Sequence, residues 1–386
     1  MVIEITDPKT DRYSRQRLIS WWDQESLASA SVMVVGIGAL GNEVAKNLAQ
    51  VGVGNLFLVD FDFVEPSNLT RSVLFRDDDD GRKKVEVAAH RLKEINPGIK
   101  IHTFHGDVSD LGLGVFRRMN MVIGCLDNRE ARLSVNRACW KVGIPWIDGA
   151  IQELSGTVKI FIPPDSACYE CTMSEKDYEL LNIRYSCPLL KREDIVMGKI
   201  PTVATISSVI GGIQAQEAIK LIHGIGDSAG KCITYVGLTN YFDVVRFQRN
   251  ENCLSHDSFS DIIELDHGAD TLTGSELINI AKRISKSEDC IIELDREVIT
   301  GRECKACGFR DESIYLLGKL TMQKGSCPKC GSLLELMMTH VIKEGETLSN
   351  ITLGKVGVPG LHIITVRNSE RYMYFELSKD SNSIFI

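Results

Sequence analysis

No stretch of this 386-residue chain is both long and apolar enough to span a bilayer. The longest segment without charge, Ile200 to Gln216, is rich in Thr, Ser and Gly. It falls short of the roughly 20 apolar residues a span needs, so a buried helix is expected there. The opening MVIEITDPKT lacks the basic and apolar regions of a secretory signal, and a cytoplasmic protein is expected. Positive charge is not in excess. The net charge of -8 argues against non-specific binding to nucleic acid or an anionic membrane and leaves room for a basic partner. Internal repeats are absent. The one low-complexity tract, DDDD at 77–80, is expected to be a solvated loop.

What is present is ordinary globular material: 44% hydrophobic and 25% charged residues, over a length that suits two domains. Residues 1–30 read as a helical lead-in. Val32 to Gly36 is a buried strand, and Ala39 to Val51 carries apolar residues at 40, 44, 48 and 51, the helical period. Asn55 to Asp60 is a second strand, completing a βαβ unit. KKVEVAAHRLKEIN and REARLSVNRACWKVG read as helices; IKIHTFHG, MNMVIGCLD and IPWIDGAI read as strands. This alternation predicts an α/β fold with a Rossmann-like, doubly wound parallel sheet. SGTVKIFIPP, a helix TVATISSVIGGIQAQEAIKLI and a β-rich CITYVGLTNYFDVVRFQR follow. A composition shift near residue 257 divides the chain into a domain over 1–256 and a smaller one over 257–386.

Gly36, Gly38 and Gly41 form G-x-G-x-x-G between a strand and a helix. Such glycines let the backbone approach a phosphate at a helix N-terminus. Asp60 ends the next strand, where a ribose-binding acid belongs. An NAD-dependent oxidoreductase is the standard reading of that much. The chain then continues through Asp62, Glu65, Ser67, Asn68 and Arg71. Asn68, Arg71 and Lys84 can reach a triphosphate, and Arg12 and Arg15 in DRYSRQ add cations. Asp127, at the end of another strand, sits where open α/β sheets bind ligands and can hold magnesium. This set suits ATP, whose α-phosphate must be made electrophilic by charge neutralisation.

RYSRQ, GIGALG, VDFDFVEPSNLTR, KKVE and CLDNREAR resemble the adenylation domain of the ubiquitin-activating enzymes and of the bacterial MoeB/ThiF/HesA adenylyltransferases, over roughly residues 11–256. The resemblance implies adenylation of the C-terminal glycine of a ubiquitin-like protein by Mg-ATP. It implies that Asp60 binds the ribose, that Asn68, Arg71 and Lys84 bind phosphates, and that Asp127 binds magnesium. A homodimer is implied, with Arg15 supplied across its interface.

Twelve cysteines in a chain of this length do not suggest a disulfide scaffold, and six of them stand in C-x-x-C pairs. Cys304, Cys307, Cys327 and Cys330, as CKACG and CPKCG, form two matching knuckles and read as a structural zinc site, with a redox pair as the rival. By resemblance, Cys168 and Cys171 of CYEC are half of a second zinc set, completed by Cys253 and His256 of ENCLSH where relatives have another C-x-x-C. Two zinc ions are therefore expected. Cys187 in RYSCPLL lies where thioester-forming relatives carry their nucleophile, and Arg184, Lys191 and Arg192 would favour its thiolate; the alternative is an incidental loop cysteine. The other cysteines, Cys125, Cys139, Cys232 and Cys290, are expected to be buried or incidental.

Two functions follow. One is an activating enzyme that forms a thioester at Cys187 and hands over to a conjugating enzyme, with 257–386 as a docking platform or a structural extension. The other is a sulfur-carrier adenylyltransferase that forms no enzyme thioester. An oxidoreductase and a catalytically dead scaffold are weighed against by the Asn68, Arg71, Lys84 and Asp127 set.

Overall fold

The computed structural model describes residues 12–179, 201–316 and 325–381. They divide into two compact units. The first comprises 12–110, 116–173 and 201–258; the second comprises 259–316 and 325–381 together with 111–115 and 174–179.

In the first unit, Val- and Leu-rich runs with no polar alternation form strands buried on both faces, the pattern of a parallel sheet covered by helices. β1 (Ser31–Val35), β2 (Asn55–Asp60) and β4 (Met121–Gly124) are such runs; β3 (Lys100–His105), at the sheet edge, alternates and is at most half-buried, and β5 (Trp146–Gln152) is buried over its first four residues. Three further strands, β6 (Ser155–Phe161), β7 (Lys231–Val236) and β8 (Tyr241–Arg246), extend the sheet antiparallel. The strand order is β3-β2-β1-β4-β5-β6-β7-β8. Strand order reverses at β1, which pairs in parallel with β2 on one side and β4 on the other. Ligands of open α/β sheets bind in the crevice at such a switch point.

The helices of this unit are α1 (Gln24–Ser29), α2 (Ala39–Val51), α3 (Lys84–Ile95), α5 (Arg129–Val142) and α6 (Ala204–Ile222); a five-residue helix, α4 (Leu113–Arg117), follows β3 in the chain, with its first three residues grouped in the second unit. Helix α2 ends on Gly52 and α5 on Gly143, both left-handed, the usual helix stop. Helices α2 and α6 meet at Gly211, where a Cβ would come within 2.8 Å of the Glu43 Cβ. The uncharged stretch read as a buried helix is α6, with Ile206, Ile210, Gln214 and Ala218 buried. Gln214 donates from Nε2 to the carbonyls of Gly124 (3.0 Å) and Ile147 (3.3 Å), tying α6 to the ends of β4 and β5. No described helix is long and apolar enough to cross a membrane.

Two expectations change. The lead-in, among described residues, holds only a 3-10 turn at Gln16–Leu18 and the short α1. The acidic run is not simply a solvated loop, because Asp79 is fully buried. Its carboxylate accepts from the Arg76 N–H (3.0 Å) and from Arg82 (2.8 Å), and Arg91 lies 3.6 Å away. A buried acid persists when it is paired in this way.

The second unit holds β9 (Ile263–Leu265), β10 (Ile291–Glu303), β11 (Arg310–Asp311), β12 (Tyr315–Leu316), β13 (Glu335–Ile342), β14 (Ile363–Arg367), β15 (Tyr372–Leu377) and α7 (Gly274–Ser285). The sheet runs β11-β10-β14-β15-β9, and β12 and β13 also pair with β10. Leu277, Ile278 and Ala281 of α7 share a core with Ile292, Val366 and Phe375. Thr273 and Glu276 form a reciprocal capping box that starts α7.

Arg132 of α5 pairs with the buried Asp148 of β5 at 2.9 Å. It also donates to the carbonyls of Leu126 and Gly149. Burial pushes the Asp148 carboxyl above its usual range, and Arg132 opposes that shift. Arg132→Leu leaves a buried, unpaired carboxylate and is expected to destabilise the chain by about 3–5 kcal/mol in urea unfolding. With the folded-state value raised, the folded state binds the proton more readily, so the deficit should shrink as pH falls.

Candidate functional site

The site forms where β1 and β4 end. Gly36 follows β1 with φ +89, a left-handed conformation that favours glycine. Its N–H donates to the Val59 carbonyl (2.8 Å), and the Cys125 N–H donates to the Val35 carbonyl (2.8 Å). A Cβ on Gly36 would come within 2.5 Å of the Cys125 oxygen, and one on Gly41 within 1.9 Å of the Gly36 oxygen. Gly38 differs: nothing lies within 4 Å of where its Cβ would be. The loop is therefore sealed behind and open at Gly38, at the N-terminus of α2, the arrangement that suits a phosphate.

Asp60, at the end of β2, faces this loop. It accepts from the Ile37 N–H (2.6 Å) and the Asp62 N–H (2.7 Å) through its two oxygens. Burial pushes its carboxyl upward, and Lys84 works against that shift. Lys84, the first residue of α3, donates to Asp62 at 2.7 Å; the Lys84 side chain is buried while that of Asp62 is half exposed. The glycine loop, Asp60, Asp62 and Lys84 thus form one hydrogen-bonded line.

Asn68 and Arg71 lie on the turn after β2. Asn68 accepts from the Glu65 N–H (3.1 Å), and Arg71 donates to the Ser67 carbonyl (2.6 Å). Asp127 is exposed in the loop after β4, two residues beyond the Cys125 that touches Gly36. The neighbouring Asn128 caps α5 by accepting from the Ala131 N–H (2.8 Å) and donates to Asp127 (3.2 Å). Arg15 is exposed just before the 3-10 turn. Arg12 does not join the phosphate cations. It donates to the Ile95 carbonyl (2.7 Å) at the end of α3 opposite Lys84, about 17 Å along the helix. A guanidinium is favourable there because the last carbonyls of a helix lack partners. Cys187 and its basic neighbours lie outside the described residues.

Sequence reasoning passed over three supports: Asn42, Gln214 and the Arg132–Asp148 pair. Gln214 and Asp148 are polar side chains inside apolar runs, and that anomaly was the available signal for them; Asn42 and Arg132 stand among other polar residues of amphipathic helices, which gave none.

The remaining candidates gather in two clusters. Cys168, Cys171, Cys253 and His256 bring their ligand atoms within 4.8 Å of one another, as do Cys304, Cys307, Cys327 and Cys330. The Cys168 Sγ lies 3.7 Å from that of Cys171 and 3.5 Å from that of Cys253, and the Cys171 Sγ lies 3.3 Å from the His256 Nε2. In the second cluster Cys304–Cys330 and Cys307–Cys327 are each 3.5 Å apart. A tetrahedral zinc with sulfur ligands has edges of about 3.7 Å, so both donor sets fit that ion. The two C-x-x-C-G knuckles share one geometry. Gly308 (φ +72) and Gly331 (φ +76) are left-handed and donate to the carbonyls of Cys304 (2.8 Å) and Cys327 (2.9 Å). His256 is no surface histidine: its ring stacks on Trp140 at 5.2 Å. Cys139, Cys232 and Cys290 are buried, and Cys125 is half-buried beneath the glycine loop.

The profile described as "ThiF family" matches residues 13–255. The chain belongs to the ThiF family. The molybdopterin-synthase adenylyltransferase of Escherichia coli (strain K12) is 33% identical over 256 residues, covering 65% of this chain and 97% of that protein. The ubiquitin-like modifier-activating enzyme 5 of Drosophila virilis is 30% identical over 272 residues, covering 66% of this chain. The chain spans 65% of that relative's length. Among solved structures, E. coli MccB with succinimide aligns at TM-score 0.54 and 26% identity, covering 64% of this chain and 74% of that chain. This ThiF-family chain is accordingly an enzyme of the adenylyltransferase and activating-enzyme group.

Metal analysis of the purified chain is expected to find about two zinc ions, and about one in His256→Ala, since three ligands hold zinc less well than four. Wild-type content of about one would remove one of the clusters as a zinc site.

Proposed function

We propose that this ThiF-family chain uses Mg-ATP to adenylate the C-terminal glycine carboxylate of a ubiquitin-like protein. The observation that carries this reading is the glycine loop, open only at Gly38, lined up with Asp60, Asp62 and Lys84 beside the turn that holds Asn68 and Arg71. In the reaction a carboxylate oxygen of the partner attacks the α-phosphorus of ATP, a P–O bond forms, and pyrophosphate leaves with the electrons of the bond that breaks. No general base is needed, because the nucleophile is already ionised. Positioning and charge stabilisation do the work. Asp60 receives the ribose hydroxyls while keeping its loop bonds, since each carboxylate oxygen has a lone pair to spare. Asn68, Arg71 and Lys84 take the phosphates, with Lys84 exchanging its bond to Asp62 for one to the nucleotide. Asp127 holds the magnesium, which supplies charge neutralisation on the phosphates when bound. Arg15 enters from a second copy in a homodimer. The two cysteine clusters hold structural zinc.

Two continuations are distinguished. In the first, the Cys187 thiolate attacks the acyl carbon of the adenylate, a thioester forms, AMP leaves, and a conjugating enzyme docked on residues 257–386 receives the partner. In the second, the adenylate goes on to sulfur transfer without an enzyme thioester. The relative named as an adenylyltransferase, matched over nearly its whole length, favours the second; the relatives named as activating enzymes favour the first.

Arg71→Ala and Lys84→Ala are each expected to lower ATP–pyrophosphate exchange, with a ubiquitin-like partner present, by about 100-fold or more. Exchange unchanged in both would remove the nucleotide assignment. A non-reducing gel then separates the continuations: a thiol-labile adduct lost in Cys187→Ala supports the thioester, and its absence in wild type with exchange intact supports sulfur transfer.

A further inference from the structure

We propose that Asn42 is a positioning residue for the nucleotide, a latch that joins the glycine loop to the segment carrying Asn68 and Arg71. The proposal rests on the adenylation reading above and adds to it a residue with no charge and no place in the glycine pattern.

Asn42 follows the third glycine, in the first turn of α2. Asparagine is a poor interior helix residue because its side chain competes for backbone groups. Here it is fully buried, so its amide must find partners inside the protein. It finds three. The Nδ2 group donates to the Ile37 carbonyl (3.0 Å) and the Gly38 carbonyl (2.9 Å), and Oδ1 accepts from the Leu74 N–H (2.9 Å). These partners determine the orientation of the amide. The flipped form would set an oxygen against two carbonyls and an NH2 against an N–H.

Two consequences follow. First, the Ile37 and Gly38 carbonyls point inward, toward a residue with no solvent exposure. The opposite side of the loop, open at Gly38, is left to the N–H groups of the first turn of α2, which have no intrahelical acceptors. A loop carbonyl turned outward would set its negative end against phosphate oxygens. Second, Leu74 is itself buried and lies three residues after Arg71, whose side chain bonds the Ser67 carbonyl. Asn42 therefore holds the backbone of the Asn68–Arg71 turn at a set distance from the loop. On the adenylation reading the glycine loop and the turn take different parts of the triphosphate, and one buried carboxamide, bonded to the loop and to the Leu74 N–H, registers them without meeting the nucleotide itself.

Asn42→Asp keeps the size and the Leu74 acceptor and removes both donors. In equilibrium dialysis of the full-length chain against radiolabelled Mg-ATP, its Kd is expected to rise by at least about tenfold. Asn42→Ser, which retains one donor, is expected to fall between Asn42→Asp and wild type. A purely structural role would reduce the fraction of folded protein and leave the Kd of that fraction unchanged. A Kd within about twofold of wild type in both variants, measured on folded protein, overturns the latch. If Asn42→Asp does not fold, Asn42→Ser alone carries the same reading. Absence of Mg-ATP binding by wild type would overturn the adenylation reading instead. The latch is then read by amide hydrogen exchange: Asn42→Ser should speed exchange at Leu74, and unchanged protection there overturns it.

Discussion

Gly41 stands so close to the Gly36 carbonyl that any side chain would collide with it, and a side chain on Gly36 would collide with the Cys125 carbonyl. This three-way contact between the loop after β1, the start of α2 and the loop after β4 is the constraint on which the site depends. It brings the carboxyl ends of two neighbouring strands together at the point where strand order reverses. Asp127 follows two residues after Cys125 in the loop after β4. With a Cβ at 36 or 41 the loops would part, and the acids and bases that follow them would no longer converge.

Around that contact, charge is organised by backbone and burial rather than by exposed ion pairs. Asp60 spends both oxygens on backbone N–H groups, a way of holding an acid in place while it remains able to accept further bonds. The Arg132–Asp148 pair does comparable work beneath Asp127. It joins α5 to β5 and at the same time holds the Leu126 carbonyl next to the exposed acid.

Much of this was legible in the sequence. Helix α2 and strand β2 fall on the residues expected, because apolar period and glycine punctuation agree there. The parallel half of the sheet was readable from buried runs alternating with amphipathic helices. Other features were hidden for physical reasons. Asp79 looked like one of four equal acids, and only the fold shows that Arg76, Arg82 and Arg91 surround it. Arg12 looked like a phosphate cation, because sequence spacing carries no information about which end of α3 it meets. Helix α7, which a capping box of Thr273 and Glu276 starts, was not singled out within 257–386, because no chemical motif stands beside it. Asn42 was masked by the glycines before it.

The first cysteine cluster carries one more consequence. Cys168 and Cys253 stand 85 residues apart, and between them the chain lays down α6, β7 and β8. Half of the donor set is thus delivered near the middle of the first unit and half at its very end. A donor set built this way cannot come together while the unit is still being synthesised; it closes only when the last strand has been released. It works as a seal of completeness: a chain broken off anywhere before residue 253 would be left with an open clasp and no means of closing it.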